Sequence, residues 1–538
     1  MKRLICGVFV WCAGLLVPCG YAAPQTCEHL AQLALPNATI TSAQTVAAGA
    51  FTPPASSAPW LTGDPHFYST LPAFCRVQVT DKPSVDSDIK IEVWLPSSGW
   101  NGKFRGQGNG GFAGQIDYRS LAVAVQQGYA TAATDTGHAA EGTDGSWALG
   151  HPEKIKDFAY RAIHEMTAVG KATAKAFYGD AAQHAYFSNC SNGGRQALME
   201  VQRYPNDYDG VIAGAPANYW THLLGAALYN AQATTLDPAS YIPLAKVPAI
   251  ARAVNAACDA QDGVADGVIN DPPKCHFEPA RMLCKSGDSD ACLTQPQVAT
   301  LKKLYSSARF SNGQEIFPGY LPGAEDGQAG WGLWITGPAP GQGLIFVFGV
   351  GFFSNMQYDQ KDWDYKKANV DEAVNAADKK FGNMFNATES NLKPFSSRGG
   401  KLIIYHGWND AAISALNSIN YYNSVVSKMG KKDADSFLRL YMVPGMQHCG
   451  GGPGTDVFGQ FGFATANDPQ HNMYVALEDW VEKGTPPGDM VAAHLSGEAP
   501  GAKASMTRPL CVYPQIAKYK GSGDTNDATN FVCVAPEK

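Results

Sequence analysis

Ser191 sits in "FSNCSNGGRQALME" (Phe187 to Glu200), where an apolar run ends in small residues and a helical pattern starts at once. A serine on a sharp strand-to-helix bend exposes its hydroxyl. The amides that open the helix then face whatever negative charge builds up on the group it attacks. That combination serves acyl transfer by a serine nucleophile. The usual pattern is G-x-S-x-G, and this chain has Asn189-Cys190-Ser191-Asn192-Gly193. Asn189 is expected to replace the first glycine, because Asn tolerates left-handed backbone better than most residues. A serine in this place can also simply cap a helix, so its partners decide.

In hydrolases of this plan the acid and the histidine follow the nucleophile in the chain, at strand ends. Asp410 ends "KLIIYHGWND" and His448 follows "FLRLYMVPGMQH". The histidine would take the serine proton, and the carboxylate would orient the imidazole and stabilise its cation. His406, in the loop of Asp410, and His138, after another strand, compete with His448 on position alone. Cysteine separates them. Cys190 precedes Ser191 and Cys449 follows His448, so a bond between the two would tie nucleophile and base together. Apart from His448, only His276 has a neighbouring cysteine, and it lies in a different part of the chain.

Strands are needed to hold these residues. "IKIEVWLP", "GYATAATDTGH", "HAYFSNCS" and "YDGVIAGAPAN" form one group of apolar runs, and "GGKLIIYHGWND" and "SFLRLYMVPGMQHC" another. Between the second and third runs of the first group, "RAIHEMTAVGKATAKAFYGD" places Ile163, Met166, Gly170, Ala174 and Phe177 on one helical face. Strand and helix alternation of this kind predicts a largely parallel sheet covered by helices, an α/β fold. From about Asn218 to Lys393 prolines, glycines and aromatics scatter without a steady period. We read residues 24–217 and 394–538 as the catalytic domain and 218–393 as an inserted lid. No internal repeat or low-complexity tract interrupts the chain.

The chain opens "MKRLICGVFVWCAGLLVPCGYAAP", with a basic start, an apolar stretch and small residues before a cut. Residues 1–23 are expected to be a secretory signal, which makes the protein secreted or periplasmic. No later run reaches the roughly 20 apolar residues of a membrane span. Removing Cys6, Cys12 and Cys19 from 13 cysteines leaves ten, an even number that implies disulfides in an exported chain. Cys258/Cys275, Cys284/Cys292 and Cys511/Cys533 fall close together. No CxxC pair that would suggest zinc occurs after the leader. A formal net charge of -7 argues against a nucleic-acid partner.

"CDAQDGVADGVINDPPKC" crowds Asp259, Asp262 and Asp266 between two cysteines. Such carboxylates repel one another unless a hard cation holds them. Calcium, with its flexible oxygen coordination, is the expected ion, in a structural role.

The chain resembles the tannase and feruloyl esterase family over nearly its whole length after the leader. "DAAQHAYFSNCSNGGRQ", "YHGWNDAAISAL", "VPGMQHCGGGPGTD" and "RPLCVYPQIAKYKGSGD" carry the likeness. It is especially similar to the branch that contains mono-hydroxyethyl terephthalate hydrolase. The resemblance implies an α/β-hydrolase fold, the triad Ser191, Asp410 and His448, and an oxyanion hole from the amides of Gly111 and Asn192. It also implies calcium held by Asp259, Asp262 and Asp266 with the carbonyls of Val264 and Val268. The disulfides it implies are Cys27–Cys75, Cys190–Cys449, Cys258–Cys275, Cys284–Cys292 and Cys511–Cys533. His406 and Ile413 are expected to face substrate. The terephthalate branch grips a free carboxylate with a lid arginine, and "GLIFVFGVGFFSNM" has none. Ile413 also replaces an aromatic. An apolar lid suits a feruloyl, hydroxycinnamoyl or galloyl ester, with terephthalate as the alternative. A polyphenol- or carbohydrate-binding protein without activity is the reading from a different class.

Overall fold

The structure, a computed structural model, describes residues 25–54, 65–497 and 502–536, so the expected leader lies outside them. Seven strands precede the lid: β1 (Ala38–Val46), β2 (Phe74–Asp81), β3 (Ile89–Pro96), β4 (Lys103–Gln107), β5 (Ala130–Thr134), β6 (His184–Cys190) and β7 (Gly210–Gly214). The inserted segment holds a small hairpin, β8 (Ala308–Arg309) and β9 (Glu315–Phe317). β10 (Lys401–Gly407) and β11 (Leu438–Val443) follow it. Nine of these strands make one sheet in the order β1-β2-β3-β5-β4-β6-β7-β10-β11. Pairing is antiparallel from β1 to β5 and parallel from β5 to β11. This is the α/β-hydrolase arrangement.

Every run singled out in the sequence is a strand of this sheet. Its central members are buried on both faces: β5 and β7 are buried at every position, which is why they read as unbroken apolar runs. β1 announces itself less clearly. It is an edge strand with one buried residue, Ile40, among nine, so its sequence is mostly polar. The helix Ala162–Tyr178 lays Ile163, Met166, Gly170 and Ala174 against the sheet, and Phe177 is half-buried at its end.

β7 and β10 are hydrogen-bonded neighbours, Val211 beside Leu402 and Ile212 beside Ile403. Everything between them therefore leaves the sheet and returns to it. That insertion is more helical than its sequence texture suggests, with helices at Trp220–Thr235, Val247–Cys258, Gln295–Tyr305, Leu344–Gly351 and Val370–Phe385. For the first of them the physical reason is burial on all sides. Residues 220–228 of the first helix are all buried, and a helix covered on every face shows no one-sided period. Aromatic contacts join lid to sheet domain: Trp220 stacks on Phe385, and Phe158 meets both edge-on or tilted.

Five disulfides close the chain, Cys27–Cys75, Cys190–Cys449, Cys258–Cys275, Cys284–Cys292 and Cys511–Cys533. Among the described residues no helix is long and apolar enough to cross a membrane.

Candidate active site

β6 ends at Cys190, and the next residue turns the chain. Ser191 has φ 66° and ψ −126°, and the helix Asn192–Arg203 begins directly after it. Positive φ costs a side-chain-bearing residue energy that the surroundings must hold in place. Here the Ser191 amide donates to Gly214 O at 2.9 Å. A Cβ at Gly194 would lie 2.3 Å from that same oxygen, so only glycine lets the helix start this close to β7. The left-handed residue is Ser191 itself. Asn189 stays in the strand and instead accepts the Cys190 amide through Oδ1 at 2.8 Å. It replaces the glycine of the usual pattern because Gly193 makes the room: a Cβ there would sit 2.2 Å from Asn189 Oδ1.

Asp410 and His448 follow β10 and β11, which lie side by side. His448 Nδ1 donates to Asp410 Oδ2 at 2.7 Å. Asp410 Oδ1 accepts the amides of Ala412 and Ile413, each at 2.8 Å. Burial works against the charged carboxylate, but His448 and the hydrogen bonds from both neighbouring histidines hold it well below the usual range. Cys190 and Cys449 are bonded with Cα atoms 5.9 Å apart. Like Ser191, Cys449 has a positive φ, 67°. Ser191 and His448 line one cavity with Gly111, Asn192 and Ile413. Among the described residues no hydrogen bond joins Ser191 to His448, a link that commonly tightens only once substrate is in place.

Gly111 reaches the cavity on the loop after β4. Its φ is 53°, and a Cβ there would lie 2.3 Å from Gly142 O, so no other residue fits. Phe112 anchors the loop, its amide donating to Gly142 O at 2.7 Å. His138, one of the rival bases, is committed to the same loop. Its Nε2 lies 2.8 Å from Phe112 O and its ring stacks on Trp147. Burial pushes its pKa down to about 4, so it props the loop as a neutral donor.

The expectation that His406 faces substrate does not hold. It is fully buried and does not line the cavity. Its Nε2 lies between two acceptors, Asp410 Oδ2 at 3.1 Å and Ile413 O at 3.0 Å, so that nitrogen carries the proton. Nδ1 then accepts from Ser418 Oγ at 2.8 Å. His406 is a positioning residue behind the carboxylate. Replacing it with alanine is expected to lower kcat by roughly 10- to 100-fold, as for loss of a hydrogen bond to a buried charge, while KM changes little. Steady-state kinetics on the folded variant checks this, and a KM effect alone would restore the substrate role.

Two residues that sequence reasoning passed over hold the site from below. Arg195 is fully buried and donates through Nε to Asn192 Oδ1 at 2.8 Å and through Nη1 to Ala159 O at 2.6 Å. Gln196 Oε1 accepts the Asn109 amide at 2.9 Å, which ties the glycine loop to the nucleophile helix. An arginine and a glutamine directly after the two glycines of the elbow were the available signal. Of the cavity walls, Ile345 and Phe348 lie in the apolar stretch singled out above, whereas Trp220, Leu224 and Trp334 were not marked by any motif. The cavity encloses about 450 Å³ of empty space, its open mouth included.

The acidic loop is ordered by its own backbone. Asp259 accepts the amides of Asp266 and Gly267, and Asp262 those of Val264 and Asn270. Asp266 accepts the Val268 amide and pairs with Arg508. Burial, with help from Asp266 and Asp259, pushes the Asp262 carboxyl up to about 6. The carbonyls of Val264 and Val268 accept no hydrogen bond among the described residues. Asn270 Oδ1 is buried without a partner. Asp259, Asp262 and Asp266 do not bring one oxygen each to within 4.8 Å of one another; carboxylate and carbonyl oxygens are nonetheless the kind of donor a hard cation takes. Arg508 supplies part of the compensating charge.

A family model described as tannase and feruloyl esterase matches residues 75–534. An uncharacterized esterase of Xanthomonas campestris pv. campestris is 42% identical, the match covering 95% of this chain and 92% of that protein. A probable feruloyl esterase B-2 of Aspergillus terreus is 34% identical over 86% of each chain. The crystal structure of feruloyl esterase B from Aspergillus oryzae superposes with a TM-score of 0.84 at 31% identity, covering 96% of this chain and 100% of that one.

Proposed function

Because this chain belongs to the tannase and feruloyl esterase family of carboxylic ester hydrolases, we propose that it cleaves aromatic esters through Ser191, His448 and Asp410. One observation carries the reading. Ser191, His448, Gly111 and Asn192 border a single apolar cavity, with Asp410 bonded behind the histidine. Ser191 Oγ attacks the ester carbonyl while His448 Nε2 takes its proton. The amides of Gly111 and Asn192 receive the oxyanion. Collapse of the intermediate expels the alcohol, which is protonated by His448, and leaves the acyl group on Ser191. Water activated by the same histidine then releases the acid. Asp410 remains ionised throughout and stabilises the imidazolium.

The apolar lining supports an aromatic acyl group, feruloyl, hydroxycinnamoyl or galloyl. It speaks against mono-hydroxyethyl terephthalate. No Lys or Arg side chain lines the cavity, and an unpaired carboxylate moved out of water there is costly. Methyl ferulate is therefore expected to give a higher kcat/KM than mono-hydroxyethyl terephthalate by at least an order of magnitude. The reverse order would favour the terephthalate reading. Five disulfides, with the leader expected from the sequence, support export to an oxidising compartment.

The Asp259, Asp262 and Asp266 loop, with the carbonyls of Val264 and Val268, would hold one calcium ion, whose role is to fix the loop that Cys258 and Cys275 close. Chelation is expected to lower Tm by several degrees, since an ion bound only to the folded chain stabilises it by roughly 3–4 kcal/mol at 100 to 1,000 times its Kd. Turnover below the new transition should persist. Elemental analysis should find one calcium per chain, and Asp262→Ala should abolish the response to chelator. Stoichiometric zinc or iron, or an unmoved Tm, would contradict this assignment.

A further inference from the structure

The helix that follows Ser191 carries a carboxyl that ester hydrolysis does not use. Glu200 lies about two and a half turns into the helix Asn192–Arg203, and it is 1% exposed. Neither of its carboxyl oxygens has a hydrogen-bond partner in the protein. A buried carboxyl left in that state is costly. Beside it stand His164, on the helix Ala162–Tyr178, and Asp207, in the connection that leads to β7. One ligand atom from each of the three lies within 4.8 Å of the other two, so the unpartnered Glu200 carboxyl is aimed into this cluster.

Two other groups among the described residues meet the same distance: Asp288 with Cys284 and Cys292, and Asp489 with Cys511 and Cys533. Their cysteines are bonded in pairs, so no thiolate is left to bind a metal. His164, Glu200 and Asp207 keep all their donors. His164 Nδ1 lies 2.6 Å from Asp207 Oδ2. The Tyr204 ring stacks on the imidazole at 3.9 Å and holds its plane. The Asp207 amide donates to Tyr204 O at 2.9 Å, and Lys171 Nζ donates to the Asp207 carbonyl oxygen. The backbone of Asp207 is thus fixed without its carboxylate. Both His164 and Asp207 are half-buried, which leaves a way in from solvent, with Glu200 as the floor.

We propose that His164, Glu200 and Asp207 bind one divalent transition-metal ion of the zinc type, at a site separate from the acidic loop. An imidazole with two carboxylates suits zinc, whereas calcium takes oxygen ligands alone. Three protein ligands leave a fourth tetrahedral position for water. The two carboxylates with a neutral imidazole balance the charge of the ion, and the ion removes the repulsion between Glu200 and Asp207. A proton shared by the two carboxyls is the competing way to remove it. The bound ion would tie the helix that follows the nucleophile to the helix Ala162–Tyr178 and to the approach to β7.

Zinc added to the calcium-saturated wild-type chain at pH 8 tests this, since protons compete least there for imidazole and carboxylate. Equilibrium dialysis with elemental analysis is expected to find one zinc retained per chain besides calcium. Tm should rise by about 3 °C at 100 times the zinc Kd. His164→Ala, at the rim, and Glu200→Gln, which keeps the shape of the buried side chain, should each weaken zinc binding by at least about tenfold and abolish the rise in Tm. Asp262→Ala, in the acidic loop, should keep both. His164→Ala suffices if Glu200→Gln does not fold. A wild-type chain that retains no zinc overturns the site, as does zinc binding unchanged by the substitution at His164; Glu200 and Asp207 then share a proton only. Loss of the zinc response in Asp262→Ala would place the ion in the acidic loop and overturn the site as well.

Discussion

Ser191→Ala is expected to reduce ester hydrolysis by on the order of 10⁴-fold or more in kcat. The hydroxyl is the only group at the elbow that can form the acyl intermediate, and alanine keeps the Cβ, so the strained bend is expected to keep its conformation. What survives is polarisation of the ester by the amides of Gly111 and Asn192 and the binding of the acyl group. His448→Ala should fall in the same range, because without a base the serine is a poor nucleophile at neutral pH. The double variant should be barely worse than either single one, since the two residues act as one unit. A folded Ser191→Ala protein with near-normal turnover would refute the serine mechanism.

The second large effect concerns Cys190–Cys449. The bridge spans 259 residues and joins the neighbours of nucleophile and base, with Ser191 and Cys449 themselves at positive φ. Replacing both cysteines with alanine is expected to destabilise the fold by about 2–5 kcal/mol. The more telling change is in rate. A shift of about 1 Å between reacting groups costs roughly a hundredfold, and nothing else covalent holds the Ser191 turn against the His448 loop. We expect kcat to fall by about that factor at temperatures where the variant remains folded. Removing Cys284–Cys292, which closes a loop of eight residues in the lid, should leave kcat close to its starting value. Equal kcat for the two double variants would mean that the adjacency of cysteine to Ser191 and His448 has no catalytic consequence.

Much of this was legible in the chain itself, and the reasons are physical. Strands buried on both faces must be apolar throughout, so β3, β5, β6, β7, β10 and β11 stand out. A serine between small residues at a strand end, and a cysteine beside both it and a histidine, are local patterns that survive without knowledge of the fold. β1, β2 and β4 were not picked out: β1 is an edge strand that exposes polar residues, β2 beside it alternates buried apolar and half-buried polar positions, and β4 buries Arg105 and Gln107 in the middle of the sheet. The helix Trp220–Thr235 was missed because burial on every side erases its periodicity, whereas Val370–Phe385 buries Val374, Ala377, Phe381 and Phe385 at helical spacing and could have been read. His406 was misassigned for a related reason. A histidine four residues before a carboxylate can point toward the substrate or lie behind the acid, and only the positions of Ser418 and the Ile413 carbonyl decide.

The most direct measurement is covalent trapping of the nucleophile. The protein is treated with a fluorophosphonate ester, and its peptides are mapped by mass spectrometry alongside the loss of hydrolytic activity. The account predicts a single adduct per chain on Ser191, appearing in step with inactivation, and labelling that slows sharply in His448→Ala. An adduct on a different residue that tracks inactivation, or a chain labelled to completion at Ser191 that still hydrolyses its ester, would contradict it.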